Sequence, residues 1–196
     1  MTGRIETQPQ RNCTTCSFAA VFLAAAASVA SGLPAVSQQT DVEPRGQREV
    51  KDVTYGDWRK LCFKPGGAQM HCRTSITGKF STGQIAVRVD IIEREGDGSA
   101  RLQIFSPVGM YLQKPVRLTV DQAQPHLVPY TWCLANACIA GTVATAKMLQ
   151  EISSGQTVQL EFVDSNLLSL TTTLPLGQFA SVHKGAPAQT FEQDDE

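Results

Sequence analysis

From Val53 onward the chain alternates apolar and polar residues with a period of two. In "QIAVRVDI", residues 84–91, Ile85, Val87, Val89 and Ile91 fall on one face, and Gln84, Ala86, Arg88 and Asp90 on the other. That pattern predicts a half-buried strand of an antiparallel sheet. "EGDGS" at 95–99 supplies a turn, because Asp-Gly tolerates the positive φ of a tight hairpin. "RLQIF" then turns Leu102 and Ile104 inward, so 84–105 reads as a hairpin. The same alternation runs through Val116, Leu118 and Val120, through Val158, Leu160 and Phe162, and through Leu168 and Leu170.

One stretch departs from it. "TVATAKMLQEISSG", residues 142–155, groups Ala144, Met148, Leu149 and Ile152 at helical spacing. Thr142 or Thr145 can cap its start, and Gly155 stands where a C-terminal cap belongs. One short helix among roughly eight strands gives an all-β fold, an antiparallel β-sandwich with one short α-helix. No internal repeat or second domain is visible, and residues 52–184 are expected to form the domain.

The two ends read differently. Residues 1–30 have the form of an export signal: Arg4 and Arg11, then the apolar run "SFAAVFLAAAASVA" at 17–30, then a small-x-small site at Ser28-Val29-Ala30. Cleavage after Ala35 is the alternative. At about 14 residues the run is short for a spanning helix of about 20. The mature chain has no other apolar segment long enough to span a membrane. Residues 31–51 are polar with two prolines and read as a flexible leader, while 185–196 form an acidic tail. With a formal net charge of −1, the overall balance gives no reason to expect nucleic acid as a partner.

Export changes the meaning of the cysteines. Cys13 and Cys16 form a C-x-x-C inside the signal and leave with it. Four remain, Cys62, Cys72, Cys133 and Cys138, and an even count in an exported chain favours disulfides. Cys133 and Cys138 enclose "LANA", and Cys62 and Cys72 enclose a loop with Pro65-Gly66-Gly67 as its turn. Local pairing, 62–72 and 133–138, is the economical choice of three connectivities, with crossed pairing across the sandwich as the alternative. Each short loop closed is worth about 2–3 kcal/mol.

Other chemistry is poorly supported. A Cys₄ zinc site needs tighter ligand spacing than 62–72 offers. A thiol oxidoreductase needs a cysteine at a helix N-terminus, and the helical stretch begins several residues after Cys138. His71, His126 and His183 are dispersed, and no hydrolase, P-loop, zincin or dinucleotide motif occurs. No cofactor or metal is expected, and the chain does not read as an enzyme. Two apolar features remain. "FSPVGMYLQKPV", 105–116, is either a loop presenting Val108, Met110, Tyr111 and Leu112 to a partner or a connection buried under the sandwich. Tyr55 and Trp58 in "YGDW" pose the same choice, a turn leading an aromatic into the core being the simpler.

These landmarks together resemble the invasion-associated locus B proteins of Gram-negative bacteria. "YGDWRKLC" at 55–62 is similar to that family's aromatic-Gly-Asp-Trp opening followed by a cysteine, and Cys72 stands at the place of its second cysteine. "SPVGMYLQKPVRLTVD" at 106–121 is similar to its Pro-x-Gly loop and next strand. "YTWCLANACIAGTVATAKMLQEISSGQTVQLEF" at 130–162 is similar to its cysteine pair, helix and following strand. The resemblance covers about 53–182. Ala137 stands where the family commonly has glycine, and neither 31–51 nor "FEQDDE" has a clear counterpart.

The resemblance implies an exported periplasmic or secreted protein of the envelope. It also implies an association with host-cell entry in pathogens, though not as a general role, and it supplies no catalytic residues. The expected function is non-enzymatic binding of a protein or envelope component, with a contribution to host-cell interaction. The alternatives are a periplasmic thiol-disulfide oxidoreductase using Cys133 and Cys138, and a purely structural envelope protein.

Overall fold

The computed structural model describes residues 42–66 and 68–192. The export signal, the Cys13–Cys16 motif, residues 31–41 of the leader and the last four residues of the tail lie outside them.

Among the described residues the chain forms β1 (Gly46–Glu49), β2 (Val53–Tyr55), β3 (Arg59–Lys64), β4 (His71–Phe80), β5 (Ile85–Arg94) and β6 (Ala100–Ser106). Then come β7 (Val116–Val120), β8 (His126–Val128), β9 (Tyr130–Cys133), β10 (Cys138–Ala144) and α1 (Ala146–Ser154). The chain continues with β11 (Thr157–Val163), β12 (Leu168–Pro175), α2 (Phe179–Lys184) and β13 (Gln189–Glu192). The smaller sheet has the order β1-β12-β11-β7-β8. The larger has the order β13-β3-β4-β5-β6-β10-β9, with β2 also paired to β4. The expected β-sandwich is thus the observed architecture, with two differences at the ends and one in helix content.

Its core follows from the alternation. Val87, Val89, Ile91, Leu102 and Ile104 of the larger sheet meet Val116, Leu118, Val120, Val158, Leu160 and Phe162 of the smaller, all buried. Burying each such side chain contributes about 1.5–3 kcal/mol. Trp58 resolves the "YGDW" question toward the core. Its ring meets Phe179 edge-on at 4.9 Å, and its indole N–H donates to the Pro175 carbonyl at 2.8 Å.

β5 departs from simple alternation. Ile85 is exposed, because the β4–β5 register shifts between Gly78 and Lys79 and the strand's first residue falls outside the aligned core. Asp90 and Ala86, expected to face solvent, are buried. Near the other end of the chain, residues 142–144 belong to strand β10, so the helix starts later than the periodicity suggests. Thr145 caps α1 by accepting from the Met148 N–H at 3.2 Å, and Gly155 closes it.

A second helix, α2, was not expected. Its six residues, "FASVHK", are too short to show a helical period. Both chain ends hold strands where the sequence suggested a flexible leader and a tail. β1 runs parallel to β12, and β13 runs parallel to β3. Every residue of these two edge strands is exposed, so they extend the sheets by backbone pairing and add little to the core.

Candidate functional site

The four mature cysteines form two hairpin staples. Cys62 and Cys72 face each other across β3–β4, and Cys133 and Cys138 across β9–β10, each pair bonded with Cα atoms 4.0 Å apart. The "LANA" turn is closed by the Leu134 N–H donating to the Ala137 carbonyl at 2.7 Å. Each pairing is local. α1 begins eight residues past Cys138, at the far end of β10, so its N-terminus does not address either sulfur. With all four sulfurs bonded, none is a thiolate available to a metal. Among the described residues no three of His, Cys, Asp and Glu converge as a metal site.

The loop after β6 divides its apolar residues. Val108 and Leu112 are exposed, at 50% and 47%, while Met110 and Tyr111 are half-buried and Met110 packs on the core. The loop is therefore neither wholly presented nor wholly buried. Backbone bonds hold it in place. The Tyr111 N–H donates to the Val163 carbonyl at 2.7 Å, and the Ser165 N–H to Gly109 at 2.8 Å. Gly109 has φ 91°, a left-handed conformation that a side chain there would strain.

Beneath the loop, Pro107 and Met110 form one wall of a narrow apolar cleft of about 60 Å³, with Phe80, Val53, Phe162 and Leu170 among its other walls. Beside it, Tyr55 and Thr172 share a hydroxyl hydrogen bond at 2.7 Å that ties β2 to β12. The cleft has room for an apolar side-chain tip and is far below the size of ordinary small-molecule sites, about 300–1,000 Å³.

The histidines do not converge. His71 stacks on Phe63 on the outer face of the larger sheet. His126 lies in the smaller sheet, its Nε2 2.6 Å from the Glu151 carboxylate of α1. His183 lies on α2, stacked on Phe179, with Nδ1 3.3 Å from Thr74 and Nε2 3.4 Å from Glu93. Burial pushes its pKa down, helped by Lys60 and Lys184 and opposed by Glu93. Tyr130 is buried too, and desolvation pushes its phenol up to about 12. Ser106 approaches that phenol without hydrogen-bond alignment, so the pair offers no activated nucleophile.

The outer face of the larger sheet was not singled out by the sequence. Register places Arg59, Arg73, Arg88, Arg94 and Arg101 there together. Arg88 lies over the Phe105 ring, 3.7 Å from its centroid, and Arg73 over Phe63 at 5.7 Å. Phe63 is also stacked between His71 and Phe191, so the edge strand β13 and its two neighbours β3 and β4 share one ring cluster. Asp90 is the one carboxylate in the middle of this face and is 1% exposed. Arg88 Nε stands 3.2 Å from Asp90 Oδ2, without the alignment of a hydrogen bond. Desolvation raises the Asp90 pKa, against the pull of Arg88 and Arg73. The available signal was the arginine on the polar face of each strand, as in "RVD" and "RLQIF". Its convergence depends on cross-strand register, which no single strand reveals.

Comparison with known proteins agrees with this architecture. Residues 58–187 match the family model described as invasion associated locus B (IalB) protein. The fold is similar to the crystal structure of invasion associated protein b from Bartonella henselae, with TM-score 0.58 and 20% sequence identity. That similarity covers 66% of this chain and 90% of the other. No curated protein sequence matches.

Proposed function

The chain belongs to the invasion associated locus B family, and we propose that it is an exported, non-enzymatic envelope or secreted protein that binds a protein partner through the loop after β6. One observation carries this reading: Val108 and Leu112 stand exposed on a backbone-anchored loop whose Pro107 and Met110 line an apolar cleft. Anchored apolar side chains beside a pocket are the usual centre of a binding hot spot, because little conformational entropy is lost on docking.

Export is supported by the signal-like residues 1–30 and by two disulfides, which persist in oxidising compartments. Among the described residues no helix is long and apolar enough to cross a membrane. A role in host-cell interaction is suggested by the name of the Bartonella henselae protein. Both disulfides close hairpins, which favours a structural role over thiol exchange.

The test is photocrosslinking in the native cell. A photoreactive residue replaces Leu112, with the exposed Thr173 of β12 as the comparison site. One reproducible adduct from 112 and none from 173 is the expected result. No adduct from 112, or the same products from both, overturns the reading and leaves the purely structural role.

A further inference from the structure

We propose that the outer face of the larger sheet is a second binding site, for an anionic polysaccharide carrying carboxylate or sulfate groups. This goes beyond the docking loop and relies on that reading only for placing the protein outside the cytoplasm.

The first argument is charge. The chain as a whole is close to neutral, at −1, yet five arginines share this face. Arg59, Arg94 and Arg101 are exposed; Arg73 and Arg88 are half-buried. Set against them are buried Asp90 and, at the two ends, Asp97, which shares a hollow with His71, Arg94 and Arg101, and Asp57, which shares one with Arg59 and Lys79. Electrostatic complementarity therefore calls for an anion. Five of the cations at these strands' outward positions are arginine, with Lys79 beside them at one end, and arginine's planar fork meets carboxylate and sulfate oxygens in pairs.

The second argument is preorganisation. Arg88 is held between the Phe105 ring and Asp90, and Arg73 rests over Phe63. A guanidinium already packed on an aromatic ring loses little freedom when it meets a ligand. Arg73 and Arg101 share one cross-strand row with Ile92 between them, so two strand spacings separate their backbones, about 10 Å. A flat row of cations at that interval suits a repeating, extended polyanion.

The third argument excludes competitors. Each interior strand of the sheet is hydrogen-bonded on both sides, so this face offers an acidic peptide no backbone edge to pair with. Single-stranded nucleic acid is held by bases stacking on free aromatic faces. Here Phe63 is stacked against His71 and Phe191, and Phe105 is covered by Arg88. The rings orient arginines instead of receiving bases.

The probe is a heparin-derived decasaccharide, titrated calorimetrically into the mature protein at about 0.15 M salt, where exposed charges more than about 8 Å apart are screened. Neutral dextran, polyglutamate and a single-stranded oligonucleotide are the comparison ligands. The native protein is expected to bind the decasaccharide in preference to all three. Arg94→Gln/Arg101→Gln, at exposed positions that leave the core untouched, should weaken binding about tenfold and flatten its salt dependence, as fewer counterions are displaced. Arg45→Gln/Arg48→Gln, in and beside β1 of the smaller sheet, should change it less than twofold. Absence of decasaccharide binding, equal losses in the two double variants, or equally tight binding of polyglutamate or the oligonucleotide would overturn the proposal. Crosslinking from Leu112 is independent of these outcomes, so the two binding sites can fail separately.

Discussion

His183 is lodged against Phe179 with Thr74 and Glu93 at its two ring nitrogens, and its burial disfavours the imidazolium. Its pKa in the folded state lies below the unfolded value of about 6.5. The neutral form is therefore the one the fold favours. That contribution is present above pH 6.5 and is lost as pH falls through the folded value. Urea midpoints at pH 7.5 and 5.5 should drop for the native protein and drop less for His183→Gln; equal drops would contradict this.

Asp90 has the opposite sign. Its raised pKa means that its stabilising balance is present below about 3.8 and is lost as pH rises through the folded value. Asp90→Asn is accordingly expected to match or exceed the native midpoint at pH 7. A loss of about 3–5 kcal/mol, typical of an orphaned buried partner, would show that the Arg88 pair dominates instead. Neither residue was legible in the sequence. Asp90 looked like an outward strand residue, yet it is buried, with Arg88 of its own strand and Arg73 of β4 as its charged neighbours. His183 was one of three scattered histidines until α2 brought it against Thr74.

At the scale of elements, the hairpins were legible because their signals are local. Alternation gave β5, β6, β7, β11 and β12, and spacing gave both disulfides as cross-strand staples. Thr145 and Gly155 were legible as the ends of α1 for the same reason. The strands at the two chain ends were not, because β1 and β13 are short and wholly exposed, held by parallel backbone pairing and, in β13, by Phe191 on Phe63, which leaves no apolar period. The Cys133–Cys138 hairpin lies at the free edge of the larger sheet, where a staple limits fraying. Cys133→Ser/Cys138→Ser should lower stability by about 2–3 kcal/mol in urea unfolding. Its bond should also have a reduction potential below about −300 mV, as structural disulfides do. A neutral substitution together with a potential near that of oxidising enzymes would restore the redox reading.

At the scale of the whole molecule, the sandwich presents two chemically different surfaces. One end carries the anchored apolar loop over its cleft, and the outer face of the larger sheet carries the arginines. The loop's composition was legible, but its division was not. Val108 and Leu112 are presented while Met110 turns into the core because Gly109 and the bonds to Val163 and Ser165 fix the backbone between them. The proposed docking thus rests on two exposed side chains that can be changed without touching the core. The decisive measurement is calorimetric affinity for the partner captured through residue 112, comparing the native protein with Val108→Asp/Leu112→Asp. Loss of a hot spot worth about 2 kcal/mol or more predicts at least thirtyfold weaker binding with an unchanged melting temperature. Equal affinity for the two proteins would contradict the proposed docking loop.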